Sequence, residues 1–308
     1  FENNQDITNI NVYLLTSDMS QKNRDRFLAL AEQYNRTVIF LDANKIDKFC
    51  EENDLVKWNN SYATYYKLFA LSVIEEDIDR LIYLDSDMLV ISSLASLMSI
   101  DLENNILGMC IDMVPESHKE RIGINSEFYY NAGMIVFDVK KWLKENFIDK
   151  IIYHVKNVQA NYPVVDQDIL NVVLMGNIKT LPIQYNTYTY FYTYKDYNFI
   201  KEIYGVKNWY SNEDFVDWEK KAIVLHCFPI MTMYPWNIGN FHPVKDLWWQ
   251  YLADSPWRDF TLIKSPKEFI YRVQRICYKL FPRKLYAFTY RTLLKILLWR
   301  RAKKAGIK

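Results

Sequence analysis

The sequence has few glycines, prolines and histidines, and these shortages exclude several kinds of protein. Seven glycines and nine prolines in 308 residues are too few for a collagen-like chain or a low-complexity disordered one. The glycines never approach the spacing of G-x-G-x-x-G or G-x-x-x-x-G-K-[ST], so neither a dinucleotide-binding Rossmann enzyme nor a P-loop NTPase is indicated. The four histidines form no H-E-x-x-H pair, which leaves a zinc hydrolase of that type without support.

Cysteine is also scarce, and long uncharged apolar runs are missing. The four cysteines lie far apart and form no C-x-x-C pair, a pattern typical of reduced thiols in a cytosolic protein. The printed sequence contains no apolar run of membrane-spanning length. We therefore expect a cytoplasmic protein.

The charge is unevenly distributed along the chain. Residues 258–308 hold fifteen Lys or Arg and two acidic residues, whereas residues 1–257 hold twenty-three basic and thirty-five acidic residues. We therefore divide the chain into a body, residues 1–257, and a basic tail, residues 258–308. Apolar residues alternate with basic ones at helical spacing in the tail, which favours amphipathic helices on an anionic membrane surface over a nucleic-acid-binding arm. Basic helices packed on the body are the other interpretation.

Short apolar runs alternate with helical patterns through the first part of the body. Runs at 10–15 and 37–41 predict strands, and apolar stripes at 21–34 and 61–74 predict helices. This alternation indicates an α/β fold with parallel strand pairing. The tyrosine-rich segment 185–210 has no clear period, so we expect an irregular aromatic loop there.

Two carboxylates one residue apart lie within the apolar segment 81–90. Asp85 and Asp87 follow the run Leu-Ile-Tyr-Leu, and at the end of a buried strand they would point in the same direction because side chains alternate with period two. Two converging carboxylates repel each other unless a cation lies between them. The pattern therefore predicts a divalent-cation site, with a solvated acidic turn as the alternative.

Other polar residues follow predicted strands or begin a predicted helix. Asp112 follows one strand, Asn131 lies in a small-residue corner before another, and His226 follows a third, while Asp166 and Gln167 begin a helix. Oxygen-rich sets at the carboxyl ends of strands suit a hard divalent cation that holds a phosphate-bearing substrate.

These motifs, in this order, resemble the family 8 glycosyltransferases, especially the bacterial lipopolysaccharide galactosyl- and glucosyltransferases. The resemblance is carried by Leu-Asp-Ser-Asp at 84–87, Tyr-Asn-Ala-Gly at 130–133, Asp-Gln-Asp-Ile-Leu-Asn at 166–171, and His226 ahead of Pro-Trp at 235–236. It implies a GT-A fold, a mostly parallel mixed sheet flanked by helices. It also implies a retaining hexosyltransferase that uses a UDP-hexose donor, Mn²⁺ or Mg²⁺, and a glycan or glycolipid acceptor. With the basic tail, it leads us to expect a cytoplasmic protein held peripherally at the inner face of the plasma membrane.

The resemblance also implies a role for each motif residue. Asp85, Asp87 and His226 would hold the metal. Four residues would contact the donor: Lys67, Asn131, Asp85 and Ser86. Three would act at the reacting sugar: Asp166, Gln167 and Asp112.

Simpler interpretations remain open for several of these residues. Lys67 could be a solvated helix lysine, Asn131 ordinary turn chemistry, and Asp166 a helix cap. For the whole chain, the alternative is a non-catalytic relative that binds sugar nucleotides or glycans on the same fold.

The sequence departs from the family pattern in two places. The segment between His226 and Trp236 has neither the glycine nor the lysine usual in the family. Either Lys245 contacts the phosphate instead, or the metal alone holds the phosphates.

Family members also begin with a strand, a uridine-binding turn and a helix, and nothing before Ile10 fits that pattern. We therefore expect the first strand–helix unit to be missing, and a cleft beside strand 10–15 or residues 81–84.

Overall fold

A computed structural model describes residues 1–58, 60–157, 162–304 and 306, and within them the chain forms sheets flanked by helices. The strands are β1 (Asn11–Thr16), β2 (Thr37–Asp42), β3 (Arg80–Leu84), β4 (Met88–Val90), β5 (Leu107–Ile111), β6 (Tyr130–Asp138), β7 (Ile178–Thr180), β8 (Thr187–Tyr188) and β9 (Val224–His226). The helices of the body are α1 (Gln21–Gln33), α2 (Asn44–Glu52), α3 (Tyr66–Phe69), α4 (Ala95–Met98), α5 (Glu116–Arg121), α6 (Val139–Lys144), α7 (Phe147–Asn157), α8 (Val165–Val173), α9 (Phe191–Tyr194), α10 (Tyr197–Tyr204), α11 (Asn212–Phe215), α12 (Trp218–Lys221) and α13 (Lys245–Asp254). The tail forms α14 (Glu268–Leu280) and α15 (Arg283–Lys304). The expected mixed α/β class is confirmed.

The described strands form three sheets of mixed direction. Strands β1 and β2 pair in parallel, a second sheet has the order β3-β6-β5-β7, and a third has the order β4-β9-β8. Strand β6 pairs antiparallel with both β3 and β5, whereas β5 and β7 are parallel. The apolar residues of β6 are buried because its two faces pack into different hydrophobic clusters, Ile135 and Phe137 into the main core and Met134 and Val136 into a second cluster. This buried strand is the base on which the polar residues at its beginning are held.

The strand predicted at residues 81–84 is present as β3, but the two aspartates do not lie along its end as predicted. Strand β3 ends at Leu84, the Asp85 N–H donates to the carbonyl of Gly133 at 2.8 Å, and the chain then turns into β4. Strand β4 belongs to another sheet, where it pairs antiparallel with β9. Asp85 and Asp87 are therefore brought together by a turn between two sheets, and not by alternation along a strand.

A cleft of about 1220 Å³ separates β1 from β3. The residues Asn11 to Leu15 of β1 line one wall, and all five residues of β3 line another. Among the described residues, no strand pairing joins the two. The side chains of β1 and β3 are mostly half-buried, whereas every residue of β5 is buried. The cleft expected beside these strands is thus present.

Two further segments differ from their predictions. The predicted helix 61–74 contains only one α-helical turn, α3, between two short 3₁₀ turns. The segment 185–210 is not an irregular loop, because it contains β8, α9 and α10. Its tyrosines pack into the main core: Tyr188, Tyr190, Tyr194 and Tyr204. Tertiary aromatic packing, rather than a local period, orders this segment.

The tail packs on the body with one face and exposes apolar side chains on another. In α15, Tyr286 and Ala287 are buried in the main core, and the Tyr286 hydroxyl lies 3.2 Å from that of Tyr194. In α14 the apolar stripe faces outward, and Phe269 and Leu280 are 79% and 74% exposed. Across the described residues, no helix is both long enough and apolar enough to span a bilayer.

Candidate functional site

Three predicted metal ligands lie together where the β3–β4 turn meets β9. Asp85, Asp87 and His226 each offer a ligand atom within 4.8 Å of the others, and His226 Nε2 is 3.3 Å from Asp87 Oδ1. The backbone fixes this arrangement, because the Asp85 N–H donates to Gly133 O, and the Cys227 N–H donates to Asp87 O at 2.9 Å. The predicted convergence of these three side chains is therefore present.

The surroundings of this cluster fit a divalent cation. His226 is buried, and Gly133 gives its ring room, since a Cβ at that glycine would lie 2.5 Å from His226 Cε1. Two carboxylates and one imidazole suit first-row divalent ions such as Mn²⁺. A bound ion would also relieve the repulsion between Asp85 and Asp87.

Lys67 bridges the cluster to the beginning of α8. Its Nζ lies 3.1 Å from Asp85 Oδ1 and 2.8 Å from Asp166 Oδ2, and it donates to the carbonyl of Ala132. Burial lowers the pKa of Lys67, but the charges of Asp166 and Asp85, together with Tyr83, outweigh burial and leave its pKa raised. Lys67 is thus a buried cation between two carboxylates, and the interpretation as a solvated helix lysine is wrong.

Two neutral hydroxyls complete the environment of these carboxylates, and the sequence did not single out either of them. Tyr83 donates to Asp85 Oδ1 at 2.7 Å, and Thr64 donates to Asp166 Oδ1. Burial, followed by the nearby Asp85, raises the pKa of Tyr83, so its hydroxyl remains a donor. Tyr83 precedes Asp85 by two residues, so strand alternation could have placed it beside that carboxylate, whereas no local pattern marks Thr64.

A second polar cluster joins Asp112, Asn131 and Gln167. The Gln167 Nε2 donates to Asp112 Oδ2 at 2.8 Å, while its Oε1 accepts from the Ala132 N–H at 3.0 Å and from Asn131 Nδ2 at 3.2 Å. Asn131 Nδ2 also donates to Asp112 Oδ2 at 3.1 Å. The two amide side chains are consequently held in one orientation each.

Asp168, the second acid of the motif on α8, is an internal anchor. It is fully buried and accepts from Tyr129 at 2.5 Å and from the Val164 N–H at 2.8 Å, with His118 Nε2 at 2.8 Å. These bonds fix the beginning of α8. They therefore aim Asp166 and Gln167 of the same helix turn at the cleft.

Most of the predicted site residues share the cleft described above. Eight of the nine line it: Lys67, Asp85, Ser86, Asp112, Asn131, Asp166, Gln167 and His226. Asp87 is the ninth and adjoins the cleft through His226. Ser86 is exposed in the turn.

The cleft contains few basic groups for a phosphate. Within the described ranges, its basic side chains besides His226 are Lys67 and Arg80, and Arg80 donates to the carbonyls of Met98 and Ile100. Lys245 is exposed at the beginning of α13 and does not line the cleft. Lys245, the candidate to replace the lysine absent from the loop after His226, is thus not part of the cleft.

Comparisons with known proteins identify a glycosyltransferase family and several glycosyltransferase relatives. The sequence profile described as Glycosyl transferase family 8 matches residues 1–237. A Haemophilus influenzae protein named as a glycosyltransferase is 33% identical over 183 residues, which cover 58% of this chain and 54%, about half, of that protein. The lipopolysaccharide 1,2-glucosyltransferase of Escherichia coli K12 is 24% identical over 265 residues, or 83% of this chain and 72% of that enzyme. The galactosyltransferase LgtC, solved with donor and acceptor sugar analogues, aligns with a TM-score of 0.63 and 26% identity over 83% of this chain and 90% of LgtC.

Proposed function

Since the chain belongs to glycosyl transferase family 8 and has the GT-A fold, we propose that it is a retaining hexosyltransferase that moves galactose or glucose from a UDP-sugar to a glycan or glycolipid acceptor. One observation carries the proposal: the cluster of Asp85, Asp87 and His226 opens into the same cleft as the cluster of Asp112, Asn131 and Gln167. The first suits a cation that holds a diphosphate, and the second suits a sugar. Their adjacency fits a sugar nucleotide.

The metal in this proposal is Mn²⁺ or Mg²⁺, held by Asp85, Asp87 and His226. When bound, such an ion supplies neutralisation of the charge that develops on the departing diphosphate. The chain's own residues orient the ligands of this ion. Lys67 and Tyr83 hold the Asp85 carboxylate in place.

On the sugar side, the remaining hydrogen-bonding capacity decides which groups reach the substrate. The Asn131 amide hydrogens are both used, by Asp112 and Gln167, whereas Gln167 Nε2 spends one hydrogen on Asp112. Gln167 therefore keeps a second N–H for a substrate oxygen, and the oxygens of Asp112 and Asp166 can accept further bonds from sugar hydroxyls. An amide is a weak nucleophile, so we propose retention without a lasting glycosyl-enzyme, with the acceptor hydroxyl attacking from the face that the diphosphate leaves.

The direct test is UDP release from UDP-galactose and UDP-glucose without an acceptor, with Mn²⁺, with Mg²⁺, and with EDTA. We expect one of the two sugars to be hydrolysed in a metal-dependent reaction. By NMR, the released sugar should first appear as the same anomer as in the donor. An inverted product would contradict retention, and tight binding without turnover would favour the non-catalytic alternative.

We further propose that the tail holds the enzyme at an anionic membrane surface, where a glycolipid acceptor would lie. The apolar stripe of α14 is exposed and consists of Phe269, Ile270, Val273, Ile276 and Leu280. Exposed basic residues flank it: Arg272, Lys279 and Lys284. Apolar area combined with positive charge is the composition that binds anionic lipid interfaces.

Point substitutions test this surface better than deletion, because Tyr286 and Ala287 of α15 belong to the core. F269S/L280S should weaken binding to phosphatidylserine vesicles at every salt concentration. K279Q/K284Q should weaken it by about 1 kcal/mol per charge and reduce its salt dependence. The control L143S removes a side chain that is 55% exposed on α6 and should change nothing. Wild-type vesicle affinity of both tail variants in a sedimentation assay would leave the tail as ordinary surface helices.

A further inference from the structure

A fully buried asparagine, Asn186, connects the metal cluster to the sugar cluster. Its Nδ2 donates to Asn131 Oδ1 at 2.8 Å, and its Oδ1 lies 3.0 Å from His226 Nδ1. Asn186 directly precedes β8, and β8 pairs in parallel with β9, which carries His226. The backbone therefore sets the separation of the two side chains.

One backbone group that can only donate, the Gly133 N–H, fixes the direction of the hydrogen bonds that run from Asn131 through Asn186 to His226. The Gly133 N–H donates to Asn131 Oδ1 at 2.9 Å, which identifies that atom as the oxygen. The group of Asn186 that faces it must then be the NH₂, and the atom that faces His226 must be the carbonyl oxygen. A carbonyl oxygen only accepts, so His226 Nδ1 carries a hydrogen.

A hydrogen on Nδ1 determines the state of the other ring nitrogen of His226, Nε2. In the neutral imidazole with its hydrogen on Nδ1, Nε2 presents a lone pair. That lone pair lies 3.3 Å from Asp87 Oδ1, so two acceptors face each other across the cluster. A cation between the two atoms would accept a lone pair from each, so this tautomer suits a metal site.

From this geometry we propose that Asn186 is a positioning residue that sets the tautomer and ring orientation of His226 and ties them to Asn131 on the sugar side. The inference rests on the cation site of the proposed function. Outer-shell partners of this kind typically change metal affinity by 10–100-fold. The same amide contacts Asn131, so Asn186 also couples the cation to the residues around the sugar.

Two substitutions separate the two contacts of Asn186. N186L keeps the approximate size but removes both hydrogen bonds. N186D keeps an acceptor for His226 Nδ1, as in carboxylate–histidine–metal triads, but loses the donor to Asn131. The matched control is N4L, since Asn4 is also buried and bonds the Leu94 N–H, with no contact to the metal cluster.

The experiment measures Mn²⁺ binding by electron paramagnetic resonance in the presence of UDP, together with the affinities for UDP and for the UDP-hexose. We expect N186L to lower Mn²⁺ affinity by about 10–100-fold, and N186D and N4L to stay close to wild type. N186D should lose the extra affinity that the hexose adds to UDP, because Asn131 is no longer held. Thermal unfolding identifies the folded variants. If N186L does not fold, N186D alone tests the inference, which then requires an unchanged Mn²⁺ affinity together with loss of the affinity that the hexose adds to UDP.

Three results would overturn the inference. Wild-type Mn²⁺ affinity in folded N186L, or an equal loss in N186D and N186L, would show that the acceptor at Asn186 does not position His226. A wild-type protein that binds no Mn²⁺ would overturn the proposed cation site, and the role of Asn186 with it. If the wild-type protein binds Mn²⁺ and N186L binds it equally well, the proposed cation site stands and only the role of Asn186 is overturned.

Discussion

Asp87→Asn is expected to abolish metal-dependent binding of UDP-sugar, with a loss of at least about 100-fold. This is more than the removal of an outer-shell partner typically costs. The amide keeps the shape of the side chain but removes the negative charge that a hard cation requires. Asp87 is a cleaner target than Asp85, because Asp85 also holds Lys67 and Tyr83. The backbone bond from the Cys227 N–H to Asp87 O does not involve the side chain, so the fold should survive.

Calorimetry with UDP-sugar, with and without Mn²⁺, checks this expectation. Asp77→Asn is the matched control, since Asp77 is exposed and does not line the cleft. The control should bind as wild type does, and both variants should unfold at nearly the wild-type temperature. Undiminished Mn²⁺-dependent binding by Asp87→Asn would remove Asp87 from the metal site.

Lys67→Met is expected to lower the free energy of unfolding by about 3–5 kcal/mol, the range found when one partner of a buried ion pair is removed. The side chains of Lys67 and Asp166 are only 7% and 12% exposed, so methionine leaves a carboxylate in the interior without its cation. Domains are stable by only about 5–15 kcal/mol, which makes this a large share. Urea denaturation in metal-free buffer measures it.

The pH dependence of this loss has a definite sign. The pKa of Lys67 is raised in the folded protein above its ordinary value of 10.5. Its stabilising contribution is therefore fully present below that value and is lost only as the pH rises through the higher folded-state pKa. The difference between wild type and Lys67→Met should be constant between about pH 6 and pH 9, where the ordinary lysine is charged.

Two further variants isolate the ion pair. Lys48→Met removes an exposed lysine that lies 3.7 Å from Glu52, and it should cost no more than about 0.5 kcal/mol. Adding Asp166→Asn to Lys67→Met removes the stranded charge and should recover part of the loss. Equal urea midpoints for Lys67→Met and wild type would contradict the structural role given to this lysine.

The sequence predicted the members of the metal cluster better than the backbone that assembles them. Asp85, Asp87 and His226 stand out as acids and a histidine at the ends of apolar runs, and the structure places them together. The backbone that brings them together differs from the prediction, because the chain crosses between two sheets at the Asp-Ser-Asp turn. Whether an apolar run continues as one strand or changes sheets depends on which strand offers a partner, here β6 for one part and β9 for the other.

Two of the residues that the sequence did not reveal, Thr64 and Asn186, act through contacts between distant parts of the chain. Thr64 reaches Asp166 across 102 positions, and Asn186 reaches Asn131 across 55. Periodicity and propensity describe near neighbours only. Asn186 also lies in the tyrosine-rich segment, where long-range ring packing creates order that no local pattern shows.

We expect the gap between β1 and β3 to separate two units that open locally at different free energies. Hydrogen bonds across a sheet are what make its strands open together, and among the described residues none pairs these two strands. The β1–β2 unit is instead attached to the rest of the molecule by side chains of α1, such as Arg26, which bonds Asp259, and Asn23, which accepts from the Trp257 indole N–H. Units fastened in this way open at lower free energy than a buried sheet. A ligand that contacted both walls of the cleft would bind only the form in which neither wall has opened. It would therefore stabilise that form by mass action.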